Sequence, residues 1–293
     1  MDLVTFTPGI YDDIPAWDYF PIDALSSSAM KLFAQSPAAY ALGLEESKED
    51  TDATLFGNGL HDLTLMGADY FAEHYPPEPT LEGRLTKTGK PASNARSTES
   101  FRADVKALVD AGKGARILKA ETADLVRSAA GAMRSHPEFA RLEAEAVAKE
   151  RTVIWEEETE FGPRLCKARL DMVGPGWILD LKKCRAMDII GRFARQCWDF
   201  GYFRQAAWYR RGYAAVTGET VGDYYLGVVC SDATHEREVL QLSNEDLAWA
   251  EKEAVAILHS VCACEAAGEF PRGEDDIVPI EMEPWMRKKL RQD

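Results

Sequence analysis

The rhythm of apolar and polar positions changes near residue 150. Before it, apolar residues recur mostly at helical spacing. A loop-like start through Ile22 leads into Ser26-Ser27-Ser28, which suit the cap of an amphipathic helix that should stop near Ser36-Pro37. The segment FGNGLHDLTLMG, residues 56–67, predicts a helix carrying His61, with Gly57 and Gly59 loosening or initiating it. Residues 86–97, TKTGKPASNARS, are polar, basic and rich in turn formers, which predicts a loop. Two helices follow, roughly Glu99 to Asp110 and Glu121 to Met133, the second closed by His136-Pro137.

From Glu150 onward the segments RTVIWEEE, RLCKARLDMV and WILDLKK read as strands, the last two joined by Gly174-Pro175-Gly176. A long helical pattern then runs from about Met187 to Thr217. The strands DYYLGVVCS and REVLQLS come next, and a helix from Asn244 to about Ala267 ends the ordered pattern. No internal repeat is visible. The expected fold class is α/β, a mixed central β-sheet flanked by helices. The expected organisation is one domain: a mainly helical part over 1–149 with a basic loop at 84–97, a core over 150–267, and a tail over 268–293.

A chain of 293 residues can bury a full core without disulfides or metals as staples. Its runs of apolar or glycine residues, such as Tyr224 to Cys230, are far short of the ~18 residues that span a bilayer. The start lacks a basic stretch followed by an apolar one, so a cytoplasmic protein without a membrane partner is expected. The six cysteines, Cys166, Cys184, Cys197, Cys230, Cys262 and Cys264, form no CxxC pair and read as thiols, most of them buried.

Net charge is −15, which argues against a polyanionic partner until its distribution is considered. From Arg84 to Lys119 nine Lys/Arg stand against three Asp/Glu, and from Lys182 to Arg211 eight stand against two. Each stretch carries +6, and local potential steers a polyanion.

Pairing across the Gly174 turn sets Val173 opposite Ile178, Met172 opposite Leu179, Asp171 opposite Asp180, Leu170 opposite Leu181 and Arg169 opposite Lys182. One face then collects Leu170, Met172, Leu179 and Leu181, and the other Arg169, Asp171, Asp180 and Lys182. Opposed residues lie ~4.5 to 5.5 Å apart, so two facing aspartates call for a cation between them. A hard divalent metal such as magnesium fits, with Lys182 beside it. The competing interpretation is an exposed hairpin whose Arg169 and Lys182 merely neutralise the two acids.

Asp171 followed by Asp180-Leu181-Lys182 resembles the PD-(D/E)XK nuclease core. Further motifs resemble the RecE-like exonucleases, relatives of the RecB nuclease domain: Ser27 to Pro37 (SSAMKLFAQSP), Gly57-x-Gly59-x-His61, Cys166 to Asp171 (CKARLD) and Gln205 to Tyr209 (QAAWY). The resemblance implies that His61, Asp171 and Asp180 hold metal, with the Leu181 carbonyl completing a shell and Glu150 serving a second ion. It makes Lys182 the catalytic lysine, with Gln205 and Tyr209 supporting the centre. Arg169, Lys183, Arg185, Arg192, Arg195 and Arg204 are the candidate DNA contacts. The chain departs from the family at Leu170, where proline is common, and at Lys183, where threonine is common.

The implied reaction is magnesium-dependent hydrolysis of linear double-stranded DNA, 5′ to 3′, with manganese able to substitute. The implied setting is phage or prophage recombination, with a homo-oligomeric ring and a single-strand annealing protein or recombinase as partner. No cysteine precedes His61, so an iron–sulfur cluster is not expected. The alternatives are a structure-selective or single-strand endonuclease on the same core, a non-catalytic DNA-binding or assembly module, and a hydrolase of small phosphoesters.

Overall fold

The computed structural model describes residues 6–12, 14–43, 51–112, 114–185 and 189–273, with 277, 279–282 and 287. The side chain of Arg192 and most of the 268–293 tail lie outside the described residues. Six strands are present among them: β1 (Gly9–Tyr11), β2 (Ala148–Thr159), β3 (Gly162–Gly174), β4 (Trp177–Cys184), β5 (Asp223–Cys230) and β6 (Arg237–Gln241). They lie side by side in chain order in one sheet. Only β4 and β5 run parallel; a helical crossover joins them, as parallel neighbours require. The short edge strand β1 falls in the stretch expected to be loop, and pairs Ile10 with Val153 of β2.

The helices are α1 (Ala16–Tyr19), α2 (Ser27–Gln35), α3 (Pro37–Ala41), α4 (Asp52–Leu65), α5 (Ala68–His74), α6 (Glu99–Ala111), α7 (Ala120–Arg134), α8 (Pro137–Glu145), α9 (Ile189–Phe200), α10 (Tyr202–Thr217) and α11 (Asn244–Ala267). Ser26 caps α2 through a bond accepted from the Ala29 amide, as the serine run predicts. Pro137 does more than close α7: it opens α8, where its missing N–H costs nothing. The helix expected over 187–217 is two, because Gly201 sits at φ +70° and turns the chain between α9 and α10.

Two apolar clusters cover the sheet. Met30 and Phe33 of α2, with Phe193, Trp208 and Leu258 from α9, α10 and α11, pack on Val153, Trp155 and Ile178. Leu60, Phe71, Met133 and Phe139, from α4, α5, α7 and α8, pack on Met172, Leu179 and Leu181. Gly212 lets α10 approach closely: a Cβ there would fall 2.4 Å from the Trp155 ring.

The β3–β4 turn has the expected register at Gly174↔Trp177, Val173↔Ile178 and Met172↔Leu179. The ladder ends there. Asp171 is not paired with Asp180; its Oδ2 accepts the Leu181 amide at 2.7 Å instead. The expected face is also corrected. Leu170 joins the cluster of Val173 and Ile178, whereas Met172, Leu179 and Leu181 join the other, so side-chain alternation slips at Asp171.

Candidate active site at the splayed end of the hairpin

Strand separation beyond Met172 and Leu179 makes room for charge. The neighbouring strand β2 adapts at the same level: Glu150 lies between the pairs Lys149↔Met172 and Arg151↔Leu170. Its φ is +54°, a left-handed conformation uncommon for a residue with a Cβ. Held in this way, Glu150 and Asp171 both meet His61 from α4. His61 Nε2 is 3.1 Å from Glu150 Oε1 and 3.1 Å from Asp171 Oδ1. The ligand atoms of His61, Glu150 and Asp171 all fall within 4.8 Å of one another. Asp180 is no member of this group: buried on β4, it pairs with Lys182.

The electrostatics follow from burial and proximity. Burial alone would lower the His61 imidazole, but Glu150 and Asp171 outweigh it and hold the ring well above its ordinary value. On Asp171 burial works upward, yet His61 and Lys182 keep its carboxyl below the usual range. Glu150 is raised, chiefly by burial. Burial pushes Asp180 up to about 6 against the opposing pull of Lys182. Lys182 loses by burial and gains more from Asp180 and Asp171, so it stays an ammonium.

This donor set fits a hard divalent cation. One imidazole nitrogen stands at equal distance from two carboxylates, and a single proton on it cannot bridge both well. Glu150 Oε1 is buried and, among the described residues, accepts no hydrogen bond. Two oxygens and a nitrogen converging at these separations suit a divalent cation, with no thiolate to favour a soft one.

Supporting residues fix each member. Asp62, one residue past His61, places Oδ1 3.6 Å from His61 Nδ1. Asp62 in turn accepts the Tyr75 hydroxyl at 2.7 Å and lies 3.8 Å from Arg116. A carboxylate behind a histidine orients the ring and leaves the other nitrogen for the ligand side. Arg169 bonds Glu150 Oε2 at 2.6 Å. From α10, Gln205 Nε2 donates to the Tyr209 hydroxyl at 2.9 Å and reaches Asp180 Oδ1 at 3.4 Å. Tyr202 places its ring 4.7 Å from Lys182 Nζ.

A cleft of about 1290 Å³ opens over the centre, with His61, Glu150, Asp171, Leu181, Lys182 and Tyr209 in its lining. The proposed DNA contacts distribute unevenly around it. Arg169 and Lys183 line the cleft, the first tied to Glu150 and the second to the Ala53 carbonyl. Arg185 is exposed. Arg195 is also exposed, 3.8 Å from Asp199. Arg204 is buried and turned to Glu253 of α11 at 2.8 Å. Arg211 likewise spans Glu157 and Glu251, so the basic face of α10 meets an acidic helix. Lys31, Arg116 and Lys167 line the cleft instead. Lys167 spends its ammonium on the carbonyls of Tyr19, Phe20 and Ile22, fixing the segment before α2.

Lys31 and Lys167 lie within the motifs SSAMKLFAQSP and CKARLD, and Arg116 within the basic stretch 84–119, but no spacing in the sequence assigns these three, Asp62 or Tyr202 to the cleft.

Comparison with known proteins is consistent with this geometry. No curated protein matches the chain. A solved Eubacterium rectale protein described as a "putative exonuclease" superposes with a TM-score of 0.56 at 17% identity, covering 92% of this chain and 96% of that one. At that identity the likeness is one of fold. SSO0001 (TM-score 0.25, 12% identity, 38% of this chain and 50% of that one) and Scheffersomyces stipitis Rai1 (0.27, 12%, 91% and 78%) are too distant in geometry to bear on the site. A family described as a PDDEXK-like domain of unknown function matches residues 26–276. That span takes in His61, Glu150, Asp171, Asp180 and Lys182, and the chain belongs to this PDDEXK-like family.

Proposed function

We propose that this chain is a metal-dependent exodeoxyribonuclease that hydrolyses linear double-stranded DNA, in the manner of the RecE-like enzymes it resembles. The observation that carries this reading is the convergence of His61, Glu150 and Asp171 within 4.8 Å at the open end of the hairpin, in a cleft that Lys182 also lines. These three residues would hold the ion, and a magnesium or manganese ion there would supply activation of water and neutralisation of charge at phosphorus.

The chain's own groups do the rest. Lys182, charged and held by Asp180, offers an ammonium to a phosphate oxygen as negative charge grows on it. Gln205 keeps Asp180 in place from behind. Asp62 holds the His61 ring in its working orientation. Arg116 and Lys31 add positive charge along the cleft for the strand itself.

The 5′ to 3′ direction, the single-stranded product, a ring-shaped homo-oligomer, an annealing or recombinase partner, a cytoplasmic location and a phage recombination setting belong to the same proposal through that resemblance. No helix among the described residues is long and apolar enough to cross a membrane.

The test is digestion of linear DNA labelled at either end, with magnesium or manganese, beside a closed circle and beside Lys182→Ala. Release of labelled nucleotide from the 5′ end first, an intact circle and a silent variant are expected. Cutting of the circle would transfer the assignment to an endonuclease. Undiminished cutting by Lys182→Ala would remove it from this site.

A further inference from the structure

The cleft has an aromatic margin that the hydrolytic centre does not use. α9 buries Ile189, Phe193 and Cys197 against the core at four-residue spacing, but its last turn leaves Phe200 46% exposed. A surface helix ordinarily turns polar residues outward. Phe200 also has fixed neighbours. Its ring centroid lies 5.7 Å from that of Tyr202, at an interplanar angle of 31°, and Lys31 Nζ lies 5.0 Å from its centre. Residues two apart in a continuous helix would point in opposite directions. The left-handed turn at Gly201 is what brings rings 200 and 202 together. Tyr202 is backed by buried Phe193 at 6.0 Å.

A row therefore leads outward from the centre: the Lys182 ammonium, the Tyr202 ring, the Phe200 ring, the Lys31 ammonium. Lys31 and Tyr202 both line the cleft, and the Phe200 ring lies against both. Rings interleaved with positive charge match one ligand chemistry well, a single nucleic-acid strand, whose flat bases and anionic phosphates alternate. A purely apolar partner would gain nothing from the two lysines.

We propose that Phe200 is a stacking platform for an unpaired nucleobase of the strand whose phosphate reaches Lys182, with Tyr202 as its brace and Lys31 as its charged flank. The substrate class is accordingly a single-stranded or frayed segment at the cleft. This rests on the nuclease reading above.

The test uses the full chain and a short single-stranded phosphorothioate oligonucleotide, which resists cutting. The probe carries 2-aminopurine or one abasic site moved along its length. Phe200→Ala is expected to weaken binding about five- to a hundredfold, the range of one base–aromatic stack, and to lose the 2-aminopurine quenching. Phe200→Trp should restore both. Trp198→Ala, on an exposed ring of the same helix, should bind like the unaltered chain. At one abasic position the penalty of Phe200→Ala should vanish.

Unchanged binding by Phe200→Ala, or an equal penalty at every abasic position, would overturn the platform. A change in assembly mass with binding intact would assign the ring to a second copy of the chain and overturn it too. Base-dependent binding without cleavage of end-labelled DNA would leave the platform standing while the nuclease reading falls.

Discussion

The two ends of the β3–β4 hairpin obey different rules. At the closed end, Val173 and Ile178 are fully buried, paired through the backbone and covered by apolar side chains. At the open end the strands part, and an acid performs what the ladder no longer does: Asp171 takes the Leu181 amide. Buried backbone groups must find partners, so the site does not merely sit on the sheet. It is where the sheet's own hydrogen bonding has been handed to a carboxylate.

That contrast can be broken from either end. Lys182→Ala or Asp171→Asn should cut DNA hydrolysis at least about 10² to 10³-fold, measured by release of end label, with circular dichroism showing the fold intact. Ile178→Ala at the closed end should do the reverse. It should cost about 2–5 kcal/mol of stability in denaturant titration, as for a large buried side chain, while metal affinity of the folded fraction stays unchanged. Asp62→Asn should weaken manganese binding about 10 to 100-fold by calorimetry, because the His61 ring loses its orienting partner. The smallest effect separates the two duties of one residue. Asp171→Ala should be about 1 kcal/mol less stable than Asp171→Asn, whose amide oxygen still accepts the Leu181 N–H. Equal stability of the two variants would show that the Leu181 contact contributes nothing.

The sequence shows the closed end and hides the open one for a physical reason. Gly174-Pro175-Gly176 restricts the turn, and a turn fixes register for the residues next to it. Beyond Met172 the pattern of side chains would be the same whether the strands stay paired or splay, so the facing aspartates were a projection of the ladder past its end. The structure brings some of the expected residues together and leaves Asp180 outside the His61 group. His61, Glu150 and Asp171 meet, Lys182 stands by Asp180, and Gln205 and Tyr209 share a face of α10.

Charge along the chain is not the same as charge along the cleft. Eight basic residues between Lys182 and Arg211 look like a phosphate track, but Arg204 and Arg211 answer acids on α11 that lie some forty positions or more downstream. Only packing of α10 on α11 reveals that. Gly201 was visible too, yet one glycine in a helical pattern does not announce a break.

The way the two acids at His61 divide their oxygens has a consequence for ion choice. Asp171 keeps Oδ2 on the Leu181 amide and Glu150 keeps Oε2 on Arg169. Each is left with a single tooth to bite an ion. Calcium favours a crowded shell in which a carboxylate grips with both oxygens, whereas magnesium accepts a sparse one and keeps water for the rest. Were an ion held there, discrimination between the two would rest on a backbone amide and a guanidinium that occupy the other carboxylate oxygens.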